Sequence, residues 1–172
     1  MPVFTPIAHE QFVADVLALA DAVRADPDWQ PDYLIGIGRG GLIPAVYLSH
    51  AIGGPMLSVD YSARNEDLAA PALERLAERT REGARLLFID DINDSGATIG
   101  RLRAGLSSAG AEAAHIRFAT LLDNTTSHQR VDYAARTIDR SVTKDWFIFP
   151  WEAVAPDAAI EADAAELPDR IA

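Results

Sequence analysis

The 172-residue sequence contains no cysteine, has little positive charge and shows no long apolar run. The absence of cysteine excludes disulfides, thiolate nucleophiles and zinc–thiolate sites. The net charge of −11 and the lack of any basic run leave no face for a polymeric nucleic acid. No apolar stretch reaches membrane-spanning length, and the N-terminus lacks the layout of a signal peptide. We therefore expect a cytoplasmic protein whose partners include neither nucleic acid nor a membrane.

Hydrophobic residues make up 49% of the sequence, enough to build one layered core. A chain of this length supports a single domain, here residues 1–172, and is too short for two. Apolar residues at helical spacing predict a first helix from about His9 to Arg24. Further along, predicted strands alternate with predicted helices. This alternation indicates an α/β fold with a mostly parallel central sheet flanked by helices, and ligands at the carboxyl ends of the strands.

The most informative segment is Arg85–Thr98, where an apolar run ends in acids and then in small hydroxyl and glycine residues. Four consecutive apolar residues, Leu86–Ile89, suit a central strand covered on both faces. Gly96 permits a tight turn, and the amides from Ser95 to Thr98 can converge on an anion where the next helix begins. The segment therefore predicts a strand that leads into a phosphate-binding turn.

Three carboxylates in this segment need a role of their own, because carboxylates repel a phosphate. At the end of a strand, Asp90 and Asp91 can accept hydrogen bonds from sugar hydroxyls or hold a magnesium ion. Asp94 is set apart from this pair, and we expect it to take a proton from the substrate as a general base.

The same residues allow two other interpretations. Asp94–Ala97 also matches the loop of retroviral-type aspartic proteases, although the preceding acid pair and the helix predicted to follow argue against that class. An acidic turn with a helix N-cap and no ligand is the second alternative, because acids and hydroxyls are favoured at helix N-termini in any case.

A second strand, glycine-rich turn and helix are predicted over Tyr33–Pro44. The glycines formally satisfy the dinucleotide-binding fingerprint, and Asp60 ends the next apolar run at about the distance of a ribose-binding acid. A nicotinamide-binding domain is therefore a competing hypothesis. Arg39 within the turn fits that hypothesis poorly, and the acids of Arg85–Thr98 remain unexplained by it.

The Arg85–Thr98 segment resembles the ribose-phosphate signature of the type I phosphoribosyltransferases, enzymes that use phosphoribosyl pyrophosphate. Asn93 departs from that signature, since an apolar residue usually occupies its position. The resemblance implies that Asp90 and Asp91 bind the ribose hydroxyls and Mg²⁺, while Asp94 acts as the catalytic base. The implied binding site for the ribose and its 5'-phosphate comprises Asp90, Asp91, Asp94, Ser95, Gly96, Ala97 and Thr98.

The turn formed by Gly38, Arg39, Gly40 and Gly41 is similar to the pyrophosphate loop of the same family. The resemblance implies that its amides and the Arg39 charge bind the leaving group, and that the peptide between Gly38 and Arg39 is cis. It also implies a mobile loop that begins at Tyr61 and Ser62 and closes over the active site.

The aromatic segment Asp145–Glu152 resembles the late segment of the 6-oxopurine phosphoribosyltransferases. The resemblance implies that Trp146 stacks on the base and that the backbone of Phe147 binds its edge. Asn124 stands where a lysine usually meets the purine's oxo group, and Ile148 stands where the xanthine-guanine enzymes place an acid. A hydrophobic plug or a dimer patch is the alternative interpretation of Phe149 and Trp151.

Taken together, these motifs imply a type I phosphoribosyltransferase fold with a small base-binding hood, to which residues 123–152 contribute, and a peripheral extension at 153–172. The implied reaction is Mg²⁺-dependent transfer of the phosphoribosyl group to a 6-oxopurine, hypoxanthine or guanine, in purine salvage. A homodimer or higher homo-oligomer is expected. A non-catalytic module that senses phosphoribosyl pyrophosphate stays open, and the departures at Asn93, Asn124 and Ile148 would support it.

Overall fold

Strands and helices alternate in the computed structural model, which describes residues 3–61 and 66–165. The strands are β1 (Phe4–Pro6), β2 (Tyr33–Ile37), β3 (Met56–Val59), β4 (Leu86–Asn93), β5 (Ile116–Asn124), β6 (Tyr133–Ile138) and β7 (Trp146–Ile148). The α-helices are α1 (His9–Arg24), α2 (Gly38–Ile52), α3 (Glu66–Arg81), α4 (Ala97–Ser108) and α5 (Asp157–Ala165). Short 3-10 helices span Ala113–His115 and Pro150–Glu152.

Five of the strands form one parallel sheet in the order β3-β2-β4-β5-β6. Leu86–Ile89 of β4 are completely buried, as a strand covered on both faces requires. The chain runs outward in one direction from β2 to β3 and in the other from β4 to β6. The switch point therefore lies between β2 and β4, and ligands of open α/β sheets bind at the carboxyl ends of strands at such a point. The predicted α/β fold with a mostly parallel sheet is confirmed.

The two faces of the sheet bury separate apolar clusters. On one face, Phe12 of α1 and Leu48 of α2 pack against Leu87 and its neighbours. On the other face, Leu76 of α3 and Leu102 of α4 cover the apolar side chains of β2, β4 and β5. Because both faces are packed, the ends of the strands are the part of the sheet that a ligand can reach.

A separate two-stranded parallel ribbon joins β1 to β7, and we call this ribbon the hood because β7 lies in the segment predicted to contribute to one. The Trp146 N–H donates to the carbonyl of Val3 at 2.7 Å, and the Thr5 hydroxyl donates to the Asp145 carboxylate at 2.6 Å. The hood strand is therefore held by the N-terminal segment of the chain, which the sequence interpretation did not assign to the hood.

The C-terminal extension includes α5, of which Ala164 is buried. None of the helices within the described residues is long and apolar enough to cross a membrane.

Candidate active site

The carboxyl end of β4 carries the acid pair Asp90 and Asp91, with the Asp91 N–H donating to the Asp90 carboxylate at 3.0 Å. Burial raises the pKa of Asp90 well above its usual range, and the adjacent Asp91 charge adds to the rise. Burial also raises the pKa of Asp91 to about 7, with a further contribution from the charge of Glu152. A divalent cation or the hydroxyls of a sugar would relieve this crowding of negative charge.

The glycine-rich turn after β2 packs directly against this acid pair. A Cβ on Gly40 would lie 2.5 Å from an Asp91 carboxylate oxygen, and a Cβ on Gly41 would lie 2.0 Å from the carbonyl oxygen of Ile89. Glycine is therefore required at Gly41, because the backbone of β4 approaches too closely for any side chain, whereas a side chain at Gly40 would displace the Asp91 carboxylate. The predicted motif lies beside β4, at the switch point of the sheet.

The predicted cis peptide between Gly38 and Arg39 is wrong. No peptide bond in the described part of the chain is cis, and Gly38 makes the turn with a φ of 53°. A left-handed glycine reverses the chain there, and α2 begins at that residue.

The turn after β4 reaches α4 through Gly96, whose φ of 89° suits glycine. Around it lies a cavity of about 370 Å³. The cavity is lined by Asp90, Asp91, Ile92, Asn93, Asp94, Ser95, Gly96, Ala97, Thr98, Ile99 and Arg101. The structure thus brings the predicted acids and the predicted phosphate turn into one cavity, which we call the phosphoribosyl cavity after the ligand that the sequence predicts for these residues.

Asn93 supports this turn from the inside. Its side chain is 2% exposed and its amide nitrogen donates to the Asp123 carboxylate at 2.7 Å and to the Gln129 carbonyl at 2.8 Å. The Ser127 hydroxyl donates to the Asn93 amide oxygen at 3.1 Å. An amide replaces the apolar spacer of the family signature here because polar groups of the loop after β5 surround it.

A second cavity of about 210 Å³ adjoins the first and shares Asp91 and Ile92 with it. Its other lining residues are Arg140, Trp146, Phe147, Phe149 and Glu152. Trp146 and Phe147 are half-buried, so each covers the cavity and keeps part of its surface open. We call this the base cavity, because aromatic side chains next to polar ones suit a planar heterocycle.

Asp94 lies at the border between the two cavities and forms an ion pair with Arg140. The Arg140 Nε lies 3.1 Å from both Asp94 carboxylate oxygens, and Nη2 lies 2.8 Å from Oδ2. Each residue is 8% exposed. Sequence reasoning set Asp94 apart from other groups and missed Arg140, since nothing near Arg140 in the sequence marks it as a site residue.

Asn124 lines neither cavity, in contrast to the base contact that the resemblance implied. It is 4% exposed at the end of β5, where its amide nitrogen donates to the Asp94 carbonyl at 2.9 Å. Its amide oxygen accepts from the Arg140 N–H at 3.2 Å. Asn124 is therefore the link that holds the Asp94 and Arg140 backbones together.

Glu152 is a second cavity residue that sequence reasoning did not single out. Its carboxylate accepts from the Phe149 N–H at 2.8 Å, and burial raises its pKa above the usual range. The negative charge of Asp163 raises this pKa further, and the positive charge of Arg39 lowers it. The Pro-Trp-acid run of the sequence was the signal that could have identified it.

Of the two residues predicted to open the mobile loop, Tyr61 is half-buried, and its carbonyl oxygen lies 3.9 Å from the place of a Cβ on Gly38. Ser62 lies outside the described residues. The start of that segment therefore adjoins the glycine-rich turn.

The donor set at the end of β4 fits Mg²⁺ bound with few protein ligands. In residues 3–61 and 66–165, no three or more His, Asp or Glu side chains form a complete metal cage. Asp90 and Asp91 offer two carboxylates, and Mg²⁺ commonly takes one or two carboxylates together with waters and substrate phosphates.

Solved structures of several proteins share this fold. A purine phosphoribosyltransferase from Pyrococcus horikoshii is 24% identical with a TM-score of 0.62, covering 88% of this chain and 96% of that protein. The xanthine-guanine-hypoxanthine phosphoribosyltransferase of Helicobacter pylori is 18% identical with a TM-score of 0.66. The match covers 87% of this chain and 94% of that protein. A hypothetical protein from Neisseria gonorrhoeae, solved with bound ppGpp, is 22% identical with a TM-score of 0.69, covering 98% of each chain.

The family model described as the phosphoribosyl transferase domain matches residues 7–156. The matched range contains the glycine-rich turn, the acid pair, the phosphate turn and every residue that lines the base cavity. Since this range covers most of the sequence and the whole of the site, the chain belongs to the phosphoribosyl transferase family and is an enzyme of pentosyl transfer.

Proposed function

We propose that this enzyme transfers the 5-phosphoribosyl group from phosphoribosyl pyrophosphate to a 6-oxopurine, hypoxanthine or guanine, in purine salvage. The products are the nucleoside monophosphate and pyrophosphate. The observation that carries the proposal is the pair of adjoining cavities that share Asp91 and Ile92. One is built for a sugar phosphate and the other for a planar base, so the reacting carbon would lie where they meet.

In the phosphoribosyl cavity, the amides and hydroxyls of Ser95–Thr98 bind the 5'-phosphate at the start of α4. Asp90 and Asp91 accept hydrogen bonds from the ribose hydroxyls. The amides of Gly38–Gly41 and the charge of Arg39 bind the pyrophosphate at the start of α2. Two observations support these roles: the acids and the phosphate turn line one cavity, and Gly40 packs against Asp91 at its edge.

In the base cavity, Trp146 stacks on the purine and the backbone of Phe147 binds its edge. A ring nitrogen of the base attacks C1' of the ribose, and the bond from C1' to the pyrophosphate oxygen breaks. Pyrophosphate leaves with the electron pair, through a transition state with oxocarbenium character. The proton that the base loses passes to Asp94, which lines the phosphoribosyl cavity and contacts Arg140 of the base cavity. Positioning and charge stabilisation supply most of the catalysis.

Asp90 and Asp91 are the residues that would hold Mg²⁺. When bound, the cation neutralises charge on the pyrophosphate as that group leaves. Its positive charge would also offset the Asp91 charge that adds to the burial-raised pKa of Asp90, and the Glu152 charge that adds to the burial-raised pKa of Asp91.

The test is pyrophosphate release with Mg²⁺ and phosphoribosyl pyrophosphate against separate hypoxanthine, guanine, xanthine, adenine, uracil and orotate. We expect release with a 6-oxopurine. Asp94→Asn should lower kcat by at least about 100-fold, the usual contribution of a general base, and should leave binding of phosphoribosyl pyrophosphate intact.

Asp132→Asn is the matched control, because that exposed carboxylate accepts from the Phe118 N–H and lines neither cavity. Its turnover should equal that of the wild type. Near-normal turnover of Asp94→Asn would overturn the general-base assignment. Release with orotate or uracil alone would overturn the purine assignment.

A regulatory module that binds purine nucleotides without turnover is the second candidate. Two observations favour it: the Asp94 carboxylate is engaged by Arg140, and the structurally similar Neisseria protein was solved with ppGpp. Binding of phosphoribosyl pyrophosphate or ppGpp with no pyrophosphate release from any base would select this candidate.

We also propose a homodimer or higher homo-oligomer in the cytoplasm. Light scattering at several protein concentrations tests the assembly, and cell fractionation tests the location.

A further inference from the structure

The buried guanidinium of Arg140 stands in the wall between the two cavities. Arg140 lines the base cavity, whereas its partner Asp94 lines the phosphoribosyl cavity. A ligand that fills both cavities would therefore meet a hydrogen-bond donor and an acceptor side by side at their border.

Most of the donors of this guanidinium already have acceptors. Nε and one N–H of Nη2 point to the Asp94 carboxylate. Nη1 donates to the carbonyls of Thr143 at 3.1 Å and Asp145 at 2.7 Å. A guanidinium carries five N–H groups, so the second N–H of Nη2 has no acceptor within the described part of the protein. A buried donor without an acceptor is costly, and an acceptor on a ligand in the base cavity would satisfy it.

The position of the guanidinium is set from several sides. Its central carbon lies 5.3 Å from the centroid of the Phe147 ring. The Arg140 backbone N–H is held by Asn124, which also binds the Asp94 carbonyl. The Asp145 carbonyl that accepts from Nη1 immediately precedes β7, the strand that carries Trp146. The donor is thus oriented before any ligand arrives, which is what selective recognition of a substrate atom requires.

From this geometry we propose that Arg140 is a specificity-determining residue that selects a base bearing an exocyclic oxygen. The Nη2 N–H donates to that oxygen, and Asp94 accepts the hydrogen on N7 of the purine, which is the proton that the base loses in the proposed reaction. A 6-oxopurine offers this acceptor and donor on one edge. A 6-aminopurine would instead place the N–H hydrogens of its amino group against those of the guanidinium. Two donors would then face each other, and no hydrogen bond could form. The inference rests on the proposed function and deepens it, because it names the group that separates oxo from amino bases.

The test compares Arg140→Met and Arg140→Lys with wild type, using kcat/KM for hypoxanthine, guanine and adenine. Arg140→Met should lower the preference for oxo over amino bases by about 10- to 100-fold, the value of a hydrogen bond to a charged group. Arg140→Lys keeps a charged donor and should retain part of the preference. Loss of activity toward all three bases with an unchanged preference would show a merely structural role and overturn the proposal.

Arg136→Met is the matched control. Arg136 forms the same kind of paired contact with Asp15, at 2.8 to 3.1 Å, but lines neither cavity. Its ratio of hypoxanthine to adenine activity should equal that of the wild type. An equal fall of this ratio in Arg136→Met would also overturn the proposal, because it would mean that any broken arginine pair relaxes selectivity.

Calorimetric measurement of the affinities for IMP and AMP tests the role of Arg140 independently of the proposed reaction, because it requires no turnover. Wild type should bind IMP at least 10-fold more tightly than AMP, and Arg140→Met should lose that difference. Equal wild-type affinities would overturn the inference even if Arg140→Met failed to fold. A preference for IMP that depends on Arg140, found together with no pyrophosphate release from any base, would refute the proposed reaction and support this inference.

Discussion

The two cavities of the site are built in different ways. Apart from Arg101, the phosphoribosyl cavity is lined by one unbroken segment, residues 90–99. The base cavity collects residues from the end of β4, the loop after β6, β7 and the turn that follows it. A cavity made by one strand and its turn is encoded locally. A cavity assembled from distant segments depends on how the hood docks. The aromatic motif Asp145–Glu152 supplies four of its lining residues, but no sequence motif joins them to Arg140 or to the end of β4.

This contrast predicts that substitutions in the two regions have separable effects. Changes beside the acid pair should affect phosphoribosyl pyrophosphate first, and changes in the hood should affect the base first.

The largest effect is expected for Gly41→Ala, which tests whether the locally encoded cavity also depends on contact between loops. A Cβ at this position would lie 2.0 Å from the carbonyl oxygen of Ile89, so the glycine-rich turn and β4 must separate. We expect a loss of about 3 kcal/mol or more of unfolding free energy in urea, together with loss of phosphoribosyl pyrophosphate binding.

Gly53→Ala is the control for Gly41→Ala. Gly53 has a φ of 77°, but a Cβ there meets no atom within 4 Å, so only backbone strain of about 1–2 kcal/mol is expected. If Gly41→Ala proved as stable as Gly53→Ala, the close packing of the two loops would be refuted.

A smaller effect is expected for Trp146→Ala, which tests the independence of the base cavity. Loss of stacking should raise KM for the base by about 10- to 100-fold, because stacking of a base on an aromatic ring contributes about 1–3 kcal/mol. Trp146→Phe keeps an aromatic ring and should raise KM for the base by a smaller factor. Affinity for phosphoribosyl pyrophosphate, measured without base, should stay at the wild-type value in both variants. If Trp146→Ala weakened binding of the base and of phosphoribosyl pyrophosphate equally, the two cavities would not act separately.

The smallest effect concerns the shared residue Asp91 and the dependence of stability on pH. Its pKa is raised from 3.8 to about 7 in the fold, so the folded protein binds this proton more tightly than the unfolded chain. The resulting stabilisation is full below pH 3.8, declines as the pH rises, and is gone above about pH 7.

Thermal unfolding in EDTA at pH 5 to 8 measures this decline. The melting temperature of the wild type minus that of Asp91→Asn should fall by a few degrees as the pH rises. A stability change of about 1 kcal/mol corresponds to about 2–4 °C in a protein of this size. Mg²⁺ with phosphoribosyl pyrophosphate should reduce the fall, because bound charge stabilises the ionised acids. If the melting temperatures of the two proteins changed with pH in parallel, the raised pKa of Asp91 would be contradicted.

Predictions from the sequence were most accurate where neighbouring residues determine the outcome. The apolar run of β4 predicted a central buried strand, the family was identified from the two loops, and both are confirmed. The roles of Asp94, Trp146 and Phe147 stay predictions. The structure places Asp94 at the border of the cavities and the two aromatic residues in the base cavity.

Asn124 and Arg140 show what sequence reasoning could not determine about the site. Alignment by motif put Asn124 in the place of a base contact, but its amide is buried between the backbones of Asp94 and Arg140. Arg140 lies 46 positions from Asp94 in the sequence, yet their side chains form the central ion pair of the site. Spacing along the chain carries no information about a contact that docking of the hood creates.

The amino-acid sequence by itself determined the parallel α/β sheet, the glycine-rich turn and the acid-rich phosphate turn. Each of these depends on local periodicity, on glycine backbone freedom or on amides at a helix start. Only the tertiary structure decided which cation faces Asp94, that β1 holds the hood strand, and that Asn124 is a buried link. Those features arise from contacts between segments far apart in the chain, whose geometry is set when the hood packs on the sheet.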